Sequence, residues 1–235
     1  MADGVEDTLA VAAVLAACGG FLDAFTYIGH NHVFANAMTG NVVLLGVNAS
    51  NAQWGQARAH LYPILAFVAG VAMAQIFRLR PLLPRVPPAT LAALGLEIVV
   101  LAGCGGFPRD FAGTALVLMI SFVAALQNTI FRQVGQWTYN STMTTGNLRV
   151  FAESLFGTIV RMGRAGAGAQ ARVFGLICCA FLVGAVIGGL CTMAWANRAL
   201  WAVDVGLMAL WVWLFVGRSG TWRRAPVRGP APPVS

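Results

Sequence analysis

The chain has 235 residues, of which 58% are hydrophobic and only 10% are charged. Soluble domains carry about 25% charged residues, so this composition excludes an ordinary soluble enzyme, a disordered protein and a secreted disulfide scaffold. Because the apolar stretches are long and do not alternate with polar residues, they predict an all-α integral membrane protein. A spanning helix needs about 20 residues, so about six transmembrane helices with short loops would fill most of the chain.

The charged residues indicate a lipid partner. All 15 basic residues are arginine, and with 8 acids they give a net charge of +7. They lie between the apolar runs, where arginine sets topology and contacts anionic headgroups, so we expect the lipid bilayer and no nucleic acid as a partner. The five cysteines lack the spacing of a zinc site. With no phosphate loop or nucleophile elbow either, we expect no catalytic residues, metal or cofactor, and no enzyme.

The apolar runs give the predicted elements in chain order. They cover residues 8–29, 33–47, 61–77, 89–107, 111–131, 137–160, 173–195 and 199–216. The second and sixth runs are interrupted by Thr39-Gly40-Asn41 and Thr145-Gly146-Asn147, and the polar stretch that ends at His60 is interpreted as a loop. We predict a single membrane domain over residues 1–218 and a disordered, Pro/Arg-rich cytoplasmic tail over residues 219–235.

The two tripeptides belong to a longer internal repeat, with repeat one over about 8–107 and repeat two over about 111–217. Three further landmarks keep the same order at nearly the same separation. Leu22-Asp23-Ala24 matches Leu126-Gln127-Asn128, the segment 66–70 matches 180–184, and Glu97 matches Asp204. Each half therefore contains a span, an interrupted segment and two further spans.

The interrupted segments decide how the two halves are related. If they enter the membrane and return, the chain has six spans and inverted halves, with 11 arginines on the cytoplasmic side against 3 outside. Arg149 lies in an interrupted segment and is left out of the counts. If they cross, the chain has eight spans and parallel halves, and the distribution is 9 against 5. Basic residues concentrate in cytoplasmic loops, which favours six spans with both termini cytoplasmic. A tilted or shortened helix would still allow eight.

Two interrupted helices in matching positions favour a secondary transporter or permease for a small solute. Irregular backbone occurs within a membrane only where protein or water satisfies it, and transporters built from inverted repeats bind their solute there. The predicted substrate-binding residues are Asp23, Asn36, Thr39, Gly40, Asn41, Gln127, Asn128, Thr145, Gly146 and Asn147. The alternative is a non-transporting membrane protein for assembly, sensing or structure, in which the tripeptides are helix-packing sites.

Acidic and small residues inside the apolar runs give two further hypotheses. A charge at membrane depth is costly and usually marks an ion or proton pathway. Glu97 and Asp204 are therefore the predicted ion-coupling residues, although Asp204 also fits a position near the headgroups. Small residues at Gly184 and Gly188, and at 66, 70 and 74, predict close helix packing, within the chain or in a homo-oligomer.

Two stretches of the sequence resemble a known family. Gly20-Phe21-Leu22-Asp23-Ala24 with residues 33–41 resembles the opening signature of the YoaK-like family, and Leu126-Gln127-Asn128 with residues 143–147 resembles its second signature. These are bacterial multi-pass membrane proteins of unknown function. The resemblance covers most of residues 8–217 and implies a bacterial inner-membrane protein with about six spans, but no substrate. Asn128 and Thr145 are further apart than their counterparts in the first half.

Overall fold

The computed structural model of the protein describes residues 8–79, 89–108, 113–160 and 166–222. Within these ranges the chain forms eight α-helices, one short antiparallel hairpin and one 3-10 helix. In chain order they are α1 (Leu9–Gly29), α2 (Met38–Ser50), α3 (Trp54–Leu79), α4 (Ala89–Gly105), α5 (Gly113–Ile130), β1 (Gln133–Val134), β2 (Trp137–Thr138), α6 (Thr144–Ile159), α7 (Ala167–Trp195), the 3-10 helix (Ala196–Ala199) and α8 (Leu200–Trp222).

The described helices confirm an all-α membrane protein. Four stretches are long and apolar enough to cross a bilayer: Leu9–Gly29, Trp54–Ile76, Gly113–Ile130 and Ala167–Gly217. The last of these contains α7, the 3-10 helix and most of α8. The shorter apolar helix α4 has 17 residues, whereas α2 and α6, which carry the two tripeptides, have 13 and 16.

Two predicted boundaries were wrong. Helix α3 begins at Trp54, so His60 is not a loop residue but a helical residue that is only 3% exposed. Helix α3 packs against α2, but Gly55, Gln56 and Arg58 in its first turns are exposed and not apolar, so hydropathy does not reveal this part of the helix. The sixth apolar run does not begin as a helix, because its first residues, Trp137 and Thr138, form β2 and pair with β1. Gly135, with φ +55°, allows the tight turn between the two strands.

The predicted tail also begins too early. Helix α8 continues to Trp222, and the first proline that would stop it is Pro226. Residues 223–235 lie outside the described residues, as do the acidic residues 1–7, the proline-rich stretch 80–88 and residues 109–112 and 161–165.

The largest core cluster lies between α1, α4, α5 and α8. Phe25, Leu94, Ile120 and Leu207 are fully buried within it. Two tryptophans of α8 connect this helix to the backbone of α4: the indole N–H of Trp201 donates to the Ala102 carbonyl at 3.1 Å, and that of Trp211 donates to the Leu91 carbonyl at 3.0 Å. These two bonds help to hold α8 against α4.

The predicted small-residue faces are used inside the chain. Helix α1 packs most extensively on α7, and a Cβ atom at Gly184 would overlap the carbonyl of Ala17 in α1. The same holds for Gly20 against the carbonyl of Phe181, and for Gly70 of α3 against the carbonyl of Phe122 in α5. These faces are therefore not free to form the predicted homo-oligomer, because α1 packs against the face on α7 and α5 packs against the face on α3.

Candidate functional site

The chain between α1 and α2 runs back along α1 before α2 begins. The Ala35 N–H donates to the Thr26 hydroxyl at 3.1 Å, and the Asn36 N–H donates to the Asp23 carboxylate at 2.7 Å. The side-chain amide of Asn36 then donates to the Gly19 carbonyl at 3.1 Å. Gly19 is the central residue of α1, so α2 begins beside the middle of that helix.

The second interrupted segment reaches the same level of α1. After the β1–β2 hairpin, the chain brings the Thr142 Cα atom to 3.0 Å from the position that a Cβ atom would take at Gly19. Helix α6 begins two residues later, and its N-cap residue, Met143, offers no side-chain hydrogen bond. Both tripeptide helices therefore begin next to the centre of α1.

The asparagines of the two tripeptides make the same pair of hydrogen bonds. Asn41 accepts from the N–H of Phe34 at 3.0 Å and donates to its carbonyl at 2.7 Å. Asn147 accepts from the N–H of Asn140 at 3.1 Å and donates to its carbonyl at 2.7 Å. In each case the partner lies seven residues earlier, so each asparagine fixes the irregular chain that precedes its helix. The buried His60 ring lies 3.5 Å from the same Asn41 oxygen.

A cavity of about 510 Å³ lies between the starts of α2 and α6. It is bounded by α1, by the two interrupted segments and by Phe181 and Ala185 of α7. Four predicted site residues line it: Asp23, Thr39, Thr145 and Gly146. The fold thus brings the first turns of both tripeptide helices and a buried carboxylate of α1 to one space, whose volume is typical of small-molecule sites.

The other predicted site residues do not line this cavity. Asn36, Asn41 and Asn147 hold the interrupted backbone as described, and Gly40 lies under the Phe34 ring, which is 2.9 Å from the position of a Cβ atom. Gln127 and Asn128 lie on α5, away from the lining residues. Their place in the repeat suggested a role like that of Asp23, but α5 directs Gln127 toward α4.

Several lining residues were not predicted from the sequence. They are mainly apolar and aromatic: Tyr27, Phe34, Met38, Asn140, Thr142, Met143, Thr144 and Phe181. The Tyr27 and Phe34 rings stack with their centroids 4.9 Å apart. Met38 directly precedes the first tripeptide and Met143 lies two residues before the second. Both could have been found by extending the repeat. The aromatic residues look like ordinary membrane-helix residues in the sequence.

Glu97 and Asp204 lie outside the cavity, in the core between α1, α4, α5 and α8. Glu97 is fully buried and Asp204 is 3% exposed. With its nitrogen turned toward α4, the Gln127 amide donates to both Glu97 carboxylate oxygens, at 2.9 and 2.7 Å. Among the described residues, neither Asp204 oxygen has a hydrogen-bond partner, and the Asp204 carboxyl is close enough to interact electrostatically with Glu97. Asp204 is therefore buried between helices and not exposed on the protein surface.

No arginine compensates these acids within the described ranges. The ion pair that the described residues form joins Arg149 to Glu153, 3.6 Å apart on the exposed surface of α6. This is the local helical pair expected from a spacing of four residues. The described residues also contain no group of three His, Cys, Asp or Glu side chains that could hold a metal ion.

Comparison with known proteins supplies the family. A family model described as "Protein of unknown function (DUF1275)" matches residues 11–213. The chain is 29% identical over 149 residues to "UPF0700 transmembrane protein YoaK" of Bacillus subtilis (strain 168), an alignment that covers 62% of this chain and 66% of that protein. No solved structure matches. Because the family model covers most of the chain, and the resemblance to the YoaK-like family is confirmed, the protein belongs to this family of transmembrane proteins of unknown function.

Proposed function

We propose that the protein is a secondary transporter or permease for a small solute, which binds in the cavity between α2 and α6. One observation carries this proposal: the two tripeptide helices begin beside the central residue of α1 and enclose a cavity of about 510 Å³. Transporters with inverted repeats bind solutes at broken helices near the bilayer midplane. The proposal extends to an inner-membrane location with both termini in the cytoplasm.

The helix packing supports an internal repeat, and the length of α2 favours the inverted arrangement with six spans. Helix α1 packs on α7 as α5 packs on α3, and α4 and α8 pack on each other. Asn41 and Asn147, at matching positions of the two halves, also make matching hydrogen bonds to the backbone seven residues earlier. At 1.5 Å per residue, the 13-residue α2 is about 20 Å long, well short of the roughly 30 Å hydrocarbon core, and α6 is its counterpart in the repeat. In this topology α2 and α6 start at the midplane and leave on opposite sides.

The cavity lining favours a small solute with one polar group and an apolar body. The carboxylate of Asp23 accepts the Asn36 N–H and so compensates the start of α2. The start of α6 has no such carboxylate, since its N-cap is Met143. Its free N–H groups, with the hydroxyl of Thr145, can take a hydrogen-bond acceptor on the solute, while Tyr27, Phe34 and Phe181 contact the apolar part.

The test is a solute screen on the purified protein. Its melting temperature is measured at two pH values against amino acids, carboxylic acids, sugars, polyamines and nucleobases. We expect one class to raise it, and the T39V/T145V variant to lose that shift while melting near the wild-type temperature without solute. No shift with any class at either pH would contradict the proposal.

One observation favours the alternative of a non-transporting membrane protein. Gly40 is packed against Phe34, and both tripeptide asparagines bind neighbouring backbone, so these residues have structural roles whether or not a solute binds. This alternative predicts that the wild type and T39V/T145V behave alike: neither binds small molecules in the cavity, and neither transports them into reconstituted vesicles.

A further inference from the structure

We propose that Glu97 and Gln127 form a proton-binding site, with Asp204 as a second acceptor, and that Gln127 passes the protonation state of Glu97 to α1. The inference rests on the proposed function for its meaning, because a proton would be the coupling ion. The site itself is argued from contacts that do not involve the cavity.

The surroundings of Glu97 disfavour a permanent charge. Three other helices face it: α5 with Gln127, α8 with Asp204 and α1 with Cys18. Cys104, on α4 itself, lies near Asp204. These groups are acidic, neutral or weakly acidic, and no described arginine pairs with either carboxyl. A buried, unpaired carboxylate in a membrane is costly. A proton from water that binds a Glu97 oxygen removes that charge, and its release restores it.

The ligand set fits a proton better than a metal cation. Calcium takes six to eight oxygen ligands, and magnesium demands octahedral geometry. Here the polar side chains at hand are two carboxyls and one amide, and the described residues hold no cluster of three metal-binding side chains. A proton needs only one acceptor oxygen and a hydrogen-bond partner, which Glu97 and Gln127 provide.

Gln127 can form a hydrogen bond with Glu97 in both protonation states of the carboxyl. When Glu97 is charged, the amide nitrogen donates to its two oxygens, at 2.9 and 2.7 Å. When Glu97 is protonated, its O–H can donate to the amide oxygen in the opposite orientation, in which the amide nitrogen donates to the Leu15 carbonyl of α1 at 3.5 Å. Rotation of one amide therefore makes or releases a bond to α1.

This bond lies on the helix that carries the cavity carboxylate. Leu15 is eight residues, or about 12 Å, from Asp23 along α1. Helix α1 also contacts both interrupted segments at Gly19, between these two positions. A change at Leu15 is thus connected through one rigid helix to the space between α2 and α6. Gln127 is accordingly a positioning residue.

The experiment is infrared difference spectroscopy of the purified protein in lipid, titrated from mildly acidic to mildly alkaline pH without any solute. We expect a protonated-carboxyl band that is lost in E97Q and shifted in frequency in Q127L, which retains Glu97 but removes its amide partner. E153Q, which removes an exposed carboxyl, is the matched control and should leave the band unchanged. If E97Q does not fold, Q127L alone tests the assignment.

Two outcomes would overturn the proposal: a band that persists unchanged in both E97Q and Q127L, or a Glu97 carboxyl that is ionised over the whole titration. Neither outcome depends on the solute screen. A protein that binds no solute but shows the Glu97 band would contradict the transporter proposal and leave the proton site intact, whereas solute binding without the band would do the reverse.

Discussion

At the scale of single residues, side chains satisfy the backbone groups of the two interrupted segments. Irregular backbone inside a bilayer must have its N–H and C=O groups satisfied within the protein. Asn41 and Asn147 each satisfy one N–H and one C=O of the preceding segment, and Asp23 accepts the N–H of Asn36. These residues are therefore required for the fold of the site before any solute is considered.

The asparagine bonds can be tested by N41A and N147A. Each substitution removes the two hydrogen bonds to the preceding backbone and leaves an N–H and a C=O group unsatisfied, which costs about 1–3 kcal/mol. Both variants should melt clearly below the wild type in detergent. N51A is the control, because the exposed Asn51 side chain bonds only within its own helix end. Equal melting temperatures for N41A and N51A would refute the capping role.

His30 makes stability depend on pH. Burial lowers the pKa of His30 from its ordinary value of 6.5, and the neighbouring Asn197 side chain offsets part of this effect. The unfolded chain then binds a proton at a higher pH than the folded one, so His30 contributes stability above pH 6.5 that is lost as the pH falls. The melting temperature of H30N should decline less than that of the wild type on acidification. Parallel declines would argue against His30 as the cause.

At the scale of helices, close backbone contact joins the two halves of the chain. The crossing of α1 and α7 requires glycine at 184, where a Cβ atom would overlap Ala17. The purpose of a small residue at such a crossing is to let backbones approach and gain dispersion contacts. The crossing also places Phe181 and Ala185 of α7 at the cavity wall, so helix packing and the shape of the site depend on the same contact.

The substitution G184A tests this crossing. The added methyl group must push α7 away from the α1 backbone, and overpacking of this kind costs typically about 1–3 kcal/mol. Gly206 of α8 is a matched control, because nothing lies within 4 Å of its Cβ position. G206A should melt at or above the wild-type temperature, since alanine favours a helix by up to about 1 kcal/mol over glycine. A G184A variant as stable as G206A would rule out the tight crossing.

Much of this arrangement could be predicted from repeated residues, and the rest depends on tertiary contacts. The separation between the tripeptides paired Asn41 with Asn147, and acids in apolar runs marked Glu97 and Asp204. Hydropathy missed the first turns of α3, because they are polar and mostly exposed although they are helical. The sequence also assigned Gln127 to the solute site by its place opposite Asp23. Only the packing of α5 against α4 shows that it faces Glu97.

At the scale of the whole molecule, arginines and helix lengths both favour six spans. With Arg149 left out, the six-span arrangement places 11 arginines on the cytoplasmic side and 3 outside. This agrees with the concentration of basic residues in cytoplasmic loops. The return of the chain along α1, from Ala35 to the level of Gly19, fits a segment that enters the membrane and leaves on the side from which it came. The end of α2 at Ser50 should then lie outside and the start of α7 near Gly168 inside.

Single-cysteine labelling tests this topology. The five native cysteines are first replaced, with the melting temperature as the check on folding, because Cys18 and Cys104 are buried. S50C should then react with a membrane-impermeant maleimide on intact cells, whereas G168C should react only after permeabilisation. Reaction of both positions only after permeabilisation would indicate eight spans and parallel halves, and α2 and α6 would then cross the bilayer. In that case the cavity would lie between two complete helices, and the transporter proposal would lose the inverted repeat that supports it.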